Sequence, residues 1–349
     1  MKNIAVAALA SLMIIACKKE TKTVTKVDPK TGKTITVEVP VEDKSEEKPE
    51  NFAIKDSAGI YRQTFNLEKG KTYPLTTYQR DTKTITDPDG KTMNGTSEST
   101  DEMTFTVNDI KGNVYDLTIN LIGKRSSQSA EGKTIIVDTK MAMPKDDNLK
   151  LLWNVNRALT GNKLNMKMDN TGKVISISGF DAVYSKIDKA LSTLIKDANE
   201  RSQVVAGLKK TFNEKVLKDQ FEKNLKIIPA KGAKIGQQWK TSENAEPSGK
   251  IKVTSNYTLK NVGDGVAVIN ISGGIPKKEE KRNQGEMSHS ISSELSQNGT
   301  ITFDQATGWI KNQNISVKTT QIETISDGKQ TKSMKSVSNS AVMVNPAGK

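Results

Sequence analysis

One segment decides the fold of this 349-residue chain: Phe105-Thr-Val-Asn-Asp-Ile-Lys-Gly-Asn-Val-Tyr-Asp-Leu-Thr-Ile-Asn-Leu121. Apolar and polar residues alternate on both sides of the turn-forming stretch Asp109-Ile-Lys-Gly112. A period of two is typical of antiparallel strands that turn one face to a core and the other to water. The segment therefore predicts a β-hairpin.

The same pattern returns later in the chain, and in the same order. Tyr257-Thr-Leu-Lys-Asn-Val-Gly-Asp-Gly265 repeats the first hairpin, and Ile301-Thr-Phe-Asp-Gln-Ala-Thr-Gly-Trp-Ile310 repeats Met166-Lys-Met-Asp-Asn-Thr-Gly-Lys-Val-Ile175. The repetition predicts two similar antiparallel β units, which form one curved sheet or two abutting sheets. Chance recurrence of common hairpin residues is the alternative. We interpret the Asp-x-x-Gly motifs as turns, because a calcium loop needs several acidic oxygens and a late Glu.

Between the two units the spacing of apolar residues changes from every second residue to the three- or four-residue spacing of a helix. Residues 180–225 contain no Pro and one Gly, and two apolar stripes run through them at helical spacing. They predict an inserted pair of amphipathic helices, and a shorter helix is expected from residue 148 to 159. The fold class is therefore α+β, predominantly antiparallel β.

The beginning of the chain predicts export and a lipid anchor. Lys2 precedes an apolar run that ends in Ile14-Ile-Ala-Cys17, and Cys17 is the single cysteine of the sequence. The run is shorter than the ~20 residues that cross a bilayer and fits a signal peptide. Its end resembles the lipobox of bacterial lipoproteins, which implies cleavage before Cys17 and lipid on its thiol. A stray or buried core thiol is the alternative.

These features divide the chain into five predicted segments. They are a signal peptide at 1–16, a lipid-anchored flexible tether at 17–52, a first β-rich unit at 53–179, a helical insertion at 180–228 and a second β-rich unit at 229–349. Within the tether, Asp28-Pro-Lys-Thr-Gly32 favours a marginal hairpin. Cys17-Lys-Lys-Glu20 partly resembles the surface-export signal of Bacteroidota lipoproteins. We therefore expect the protein to be anchored in the outer membrane, either at its periplasmic face or at the cell surface.

One further motif carries a family resemblance. Together with Asp169-Asn-Thr-Gly-Lys-Val174, the segment Pro229-Ala-Lys-Gly-Ala-Lys-Ile-Gly-Gln-Gln-Trp239 resembles a family of Bacteroidota envelope lipoproteins known only as a domain of unknown function. The resemblance implies a shared β-rich fold and an envelope location. It implies no catalytic residues.

Charge and residue content argue against several functions. The formal charge of +13 comes from scattered lysines without interleaved aromatics, so we expect no nucleic-acid binding and at most attraction to anionic lipid or glycan. With one histidine, His289, and no cysteine beyond Cys17, the usual zinc sites and Cys/His pairs are excluded. We predict no metal, no cofactor and no enzymatic activity, although 40 Asp and Glu leave a two-carboxylate hydrolase open.

Two classes of function stay in contention. The first is a non-enzymatic binding module for a lipid or other hydrophobic ligand, and the second is a structural protein that engages envelope proteins or glycan. The first predicts ligand contacts from Met141 and Met143 and from Met166 and Met168, since each pair is spaced to share one face of a strand. Methionine as ordinary core filler is the alternative.

Overall fold

The computed structural model describes residues 21–27, 34–40, 52–245, 251–285 and 287–346. They belong to two units, Met1–Glu50 and Asn51–Lys349, each of which is described by itself. In the first unit, strands β1 (Thr21–Val27) and β2 (Thr34–Pro40) pair antiparallel, with Val24 opposite Val37. This pairing lies within the predicted tether and matches the hairpin considered there. Cys17 and the turn at 28–32 lie outside the described residues.

The second unit consists mainly of antiparallel strands. Its first half contains β3 (Ile54–Ser57), β4 (Ile60–Gln63), β5 (Thr72–Thr86), β6 (Thr92–Lys111), β7 (Val114–Ala130), β8 (Lys133–Asp138), β9 (Lys163–Asp169) and β10 (Val174–Ser178). Its second half contains β11 (Gln238–Asn244), β12 (Lys252–Gly263), β13 (Val266–Gln284), β14 (Met287–Asp304), β15 (Ile310–Ser326) and β16 (Thr331–Val344). Twelve of these strands form one continuous sheet, and β3 and β4 pair separately. The predicted fold class is confirmed, with one sheet rather than two.

Strand order shows the predicted repeat directly. The sheet runs β10-β9-β7-β6-β5, then β16, then β15-β14-β13-β12-β11, with β8 beside β7. Both halves thus place their strands in the same order. The strand β16 joins them by pairing with β15 on one side and β5 on the other.

Register and hydrogen bonds agree between the halves. Val114 stands opposite Asp169 and Val266 opposite Asp304, and each half has a bulge at the equivalent place, after Val107 and after Leu259. Gly70 N donates to Val107 O at 2.8 Å, and Gly236 N donates to Leu259 O at 2.7 Å. Chance recurrence of turn residues does not account for a shared bulge and shared register, so the halves are two copies of one unit.

Within the described residues four helices accompany the sheet: α1 (Asp147–Leu159), α2 (Phe180–Leu191), α3 (Ala198–Thr211) and α4 (Glu214–Leu225). The insertion therefore holds three helices rather than the predicted pair. The second apolar stripe is divided between α3 and α4. The side chain of Asn213 caps the start of α4 by accepting a hydrogen bond from Val216 N at 3.0 Å. None of the helices in the described ranges is long and apolar enough to cross a membrane.

The core lies between the helices and one face of the sheet, which we call the inner face. The ring of Phe105 on β6 packs edge-to-face against the ring of Phe221 on α4, with 5.2 Å between the centroids. The ring of Trp309 also lies 5.2 Å from the ring of Phe105. The buried side chain of Gln63 connects α4 to the turn before β15, since its amide nitrogen donates to Leu225 O at 2.9 Å and to Gly308 O at 3.1 Å. The chain before β5 thereby ties α4 to the second half of the sheet.

Side chains of α4 also cover the free edge of β10. Glu222 accepts from Val174 N at 2.8 Å, Glu214 accepts from Ile177 N at 3.2 Å, and Lys218 Nζ donates to Ile175 O at 2.9 Å. These three residues are spaced by four and share one face of the helix. They satisfy backbone groups that an edge strand otherwise offers to another chain.

We expect Glu222→Ala to lower the free energy of unfolding by about 1–2 kcal/mol, because Val174 N loses a charged acceptor. Urea unfolding followed by circular dichroism measures this change. The matched control is Asp219→Ala on the same helix, whose carboxylate makes only an exposed i,i+4 pair with Lys215, and its expected effect is below about 0.5 kcal/mol. Equal effects of the two substitutions would contradict a role in covering the edge.

Candidate functional site

A groove of about 400 Å³ lies on the inner face, where the sheet emerges from beneath the helices. Alternate residues of β5, β6 and β16 line its floor, as the pleat requires, and a bulge after Leu121 brings Lys124 of β7 to the same face; Tyr78, Glu102 and Gly123 also border the groove. The floor residues are Leu75, Thr77 and Gln79 on β5, Ser99, Asp101 and Met103 on β6, Leu121 and Lys124 on β7, Gln313 on β15, and Val342 and Val344 on β16. The floor thus joins the two halves of the sheet.

The roof consists of the C-terminal ends of α1 and α3 and one face of α4. Its residues are Leu159 and Thr160 at the end of α1, Thr211 and Phe212 at the end of α3, and Leu217, Gln220, Phe221 and Asn224 on α4. Phe212 is held in place by Tyr184, whose hydroxyl donates to Phe212 O at 2.6 Å. Burial, with a smaller contribution from Asp181, raises the pKa of Tyr184, so the hydroxyl keeps the proton it donates.

The groove floor changes from apolar to polar at the same level on β5 and β6. Leu75 stands opposite Met103, Thr77 opposite Asp101, and Gln79 opposite Ser99, so neighbouring strands turn polar at the same level. At the apolar level Leu75 is buried in the core and Met103 is half-buried, and the polar levels lie farther along β5 and β6. On β16 the same levels stay apolar, with Val344 opposite Thr77 and Val342 opposite Gln79, so the site is amphipathic, with polar groups of β5 and β6 beside an apolar strip on β16.

The charges at the groove are paired. Lys124 Nζ bonds Asp101, and Lys140 Nζ contacts both carboxylate oxygens of Glu102 at 2.6 and 2.7 Å. Asp101 and Glu102 thus each have their own lysine, and a further lysine, Lys186, donates to Thr160 O at 3.1 Å on the roof. Such an arrangement favours uncharged ligand groups.

The groove contains none of the four predicted methionines. Met166 and Met168 share one face of β9, as their spacing predicts, but that face is core, and their exposed fractions are 1% and 0%. Met141 and Met143 are 59% and 47% exposed, and they lie in the loop between β8 and α1 rather than on a strand. The structure does not bring the two pairs together, and core packing accounts for the first.

Other candidate residues lie elsewhere. His289 on β14 pairs with Glu323 on β15, with 2.7 Å between His289 Nε2 and Glu323 Oε1, and neither lines the groove. Across the ranges that the structure describes, no three His, Cys, Asp or Glu side chains converge as a metal site would need. Cys17, the predicted lipidation site, lies outside those ranges.

Sequence reasoning missed the groove residues because strands far apart in the chain form the floor. One local signal is present on β5, where the inner-face positions read Tyr73, Leu75, Thr77 and Gln79 and pass from apolar to polar. A uniform core strand stays apolar at every second position. The change of polarity along one face marks the place where the core opens to solvent.

The fold and the groove define an α+β domain with a repeated antiparallel unit and an amphipathic cavity under its inserted helices. Residues 112–310 match the model of a family of unknown function, DUF6263, and the chain belongs to this family. The unknown-function part of the predicted resemblance is thereby confirmed. No curated protein matches the sequence.

Solved structures show only weak likeness. A structure described as lipid-protein interactions in lipovitellin is 11% identical over 81% of this chain, with a TM-score of 0.34. The chain spans about a quarter of the lipovitellin chain, 26%. An outer membrane channel from Pseudomonas putida F1 is 9% identical, covers 83% of this chain and 99% of its own, and has a TM-score of 0.17. OccK7 from Pseudomonas aeruginosa is 7% identical, with coverages of 79% and 98% and a TM-score of 0.18.

Proposed function

We propose that the protein is a lipid-anchored envelope lipoprotein of the outer membrane and a non-enzymatic binding module for an amphipathic ligand with an acyl chain. The groove between the sheet and α4 carries the proposal. Its volume lies within the range of about 300–1,000 Å³ that is usual for small-molecule sites. Its apolar end suits a hydrocarbon chain, and its open polar end suits a head group.

The anchor rests on the sequence of the first 17 residues. An apolar run too short to cross a bilayer, a small residue at the cleavage position and a single cysteine agree with lipidation of Cys17. Two or more acyl chains give stable anchoring. A binding domain held at a membrane has direct access to lipid ligands, and the resemblance to Bacteroidota lipoproteins favours the same location.

Filling the groove should prevent binding. We expect Val342→Trp to weaken binding of NBD-labelled fatty acid and NBD-labelled monoacylglycerol by at least about tenfold, because the indole fills the floor beside Gln79, at the mouth of the groove. Fluorescence anisotropy measures the affinity on the full chain carrying Cys17→Ser, which removes the protein's own lipid.

The matched control is Met343→Trp. Met343 is the next residue on β16 and points to the opposite face of the sheet, so this variant should bind as the unsubstituted chain does. Circular dichroism and thermal melting of both variants separate blocked binding from lost folding. If the unsubstituted chain binds neither probe, the alternative of a structural protein without a small ligand replaces the proposal.

A further inference from the structure

The polar end of the groove holds hydrogen-bonding groups that are uncommitted. Within the part of the chain that the structure describes, the side chains of Thr77, Ser99 and Gln313 make no hydrogen bond to another residue, and neither do those of Gln220 and Asn224 on the roof. Hydroxyl and amide groups of this kind both donate and accept. The polar end of the groove therefore offers several neutral donors and acceptors to one ligand.

The register brings these groups together. Thr77 stands opposite Val344 on β16, which in turn stands opposite Gln313 on β15. Thr77 also stands opposite Asp101, and Asp101 is already bound by Lys124. A charged head group placed beside Thr77 and Gln313 would lose hydration without gaining an opposite charge there, because Lys124 is held by Asp101 and Lys140 by Glu102.

Resting on the proposed function, we infer that the ligand is a neutral amphiphile: a single acyl chain joined to an uncharged head group of hydroxyls or amides. A monoacylglycerol is the simplest representative. Its chain lies against Met103, Leu121 and Leu159, the half-buried apolar residues of the groove, and its hydroxyls bond Thr77, Ser99 and Gln313. Free fatty acids and alkylamines share the chain but bring a charge that the groove leaves unpaired.

Competition among three ligands with the same chain tests this inference. Monooleoylglycerol, oleate and oleylamine, each below its aggregation concentration, displace whichever NBD-labelled probe the full Cys17→Ser chain binds. We expect monooleoylglycerol to act at a concentration at least about tenfold lower than either charged ligand. The double variant Thr77→Val/Gln313→Leu should reduce this preference to less than about threefold, since it removes hydrogen-bonding groups at nearly constant volume.

The control double variant is Thr100→Val/Asn314→Leu. Thr100 follows Ser99 on β6 and Asn314 follows Gln313 on β15, so both side chains point to the opposite face of the sheet, and this variant should keep the full preference. Oleate or oleylamine binding as tightly as monooleoylglycerol would overturn the inference while leaving the proposed function intact. Loss of the preference in the control variant would also overturn it. Absence of any acyl ligand binding would instead refute the proposed function itself.

Discussion

Replacing Met166 and Met168 together with lysine should unfold the domain. Both side chains are fully buried on β9 within the core. Removing a buried methionine side chain costs about 2–5 kcal/mol, and placing an unpaired charge there adds several more. Two such changes cost on the order of 10 kcal/mol or more, which is comparable to the whole stability of a typical domain, roughly 5–15 kcal/mol. Far-UV circular dichroism and thermal melting measure the loss directly.

The two exposed methionines provide the control. Met141→Lys/Met143→Lys introduces the same charges in the loop before α1, and we expect a change in unfolding free energy within about 0.5 kcal/mol per site. A folded Met166→Lys/Met168→Lys variant that melts at the unsubstituted temperature would show that β9 does not pack as the structure has it. The sequence spacing itself predicts a binding face at these positions, but period-two methionines are equally typical of a buried strand face.

Turns were the most predictable part of the fold, because their causes are local. Asp169 Oδ1 accepts from Thr171 N at 2.9 Å and from Lys173 N at 3.1 Å, and Asp304 Oδ1 accepts from Thr307 N at 2.8 Å. A short side chain that bonds its own backbone needs no distant partner. The Asp-x-x-Gly motifs therefore marked hairpins correctly, and the hairpins in turn revealed the repeat.

Strand order was less predictable, because it depends on contacts between distant residues. The pairing of Val344 with Thr77 joins the two copies of the unit, and the pairing of Tyr61 N with Ala233 O at 2.9 Å crosses between them. Neither contact has a local sequence signal. The groove depends on the first of these pairings, so its residues could not be grouped before the order of strands was known. The four predicted methionines do not line this groove, and their role as ligand contacts stays a prediction.

Cys17→Ser should abolish incorporation of labelled fatty acid and leave the chain either uncleaved or released in soluble form. The thiol accepts the first lipid of a bacterial lipoprotein, and a serine hydroxyl at this position offers no thiolate nucleophile. Each buried methylene of an acyl chain contributes about 0.8 kcal/mol to membrane binding, so loss of the lipid removes the anchor. Metabolic labelling with a fatty acid, followed by separation of membrane and soluble fractions, measures both effects. Ser11→Ala is the matched control, since it keeps the apolar run and Cys17 and should label like the unsubstituted chain. Label retained by the Cys17→Ser chain would refute lipidation at this residue and leave the groove proposal without its route to the membrane.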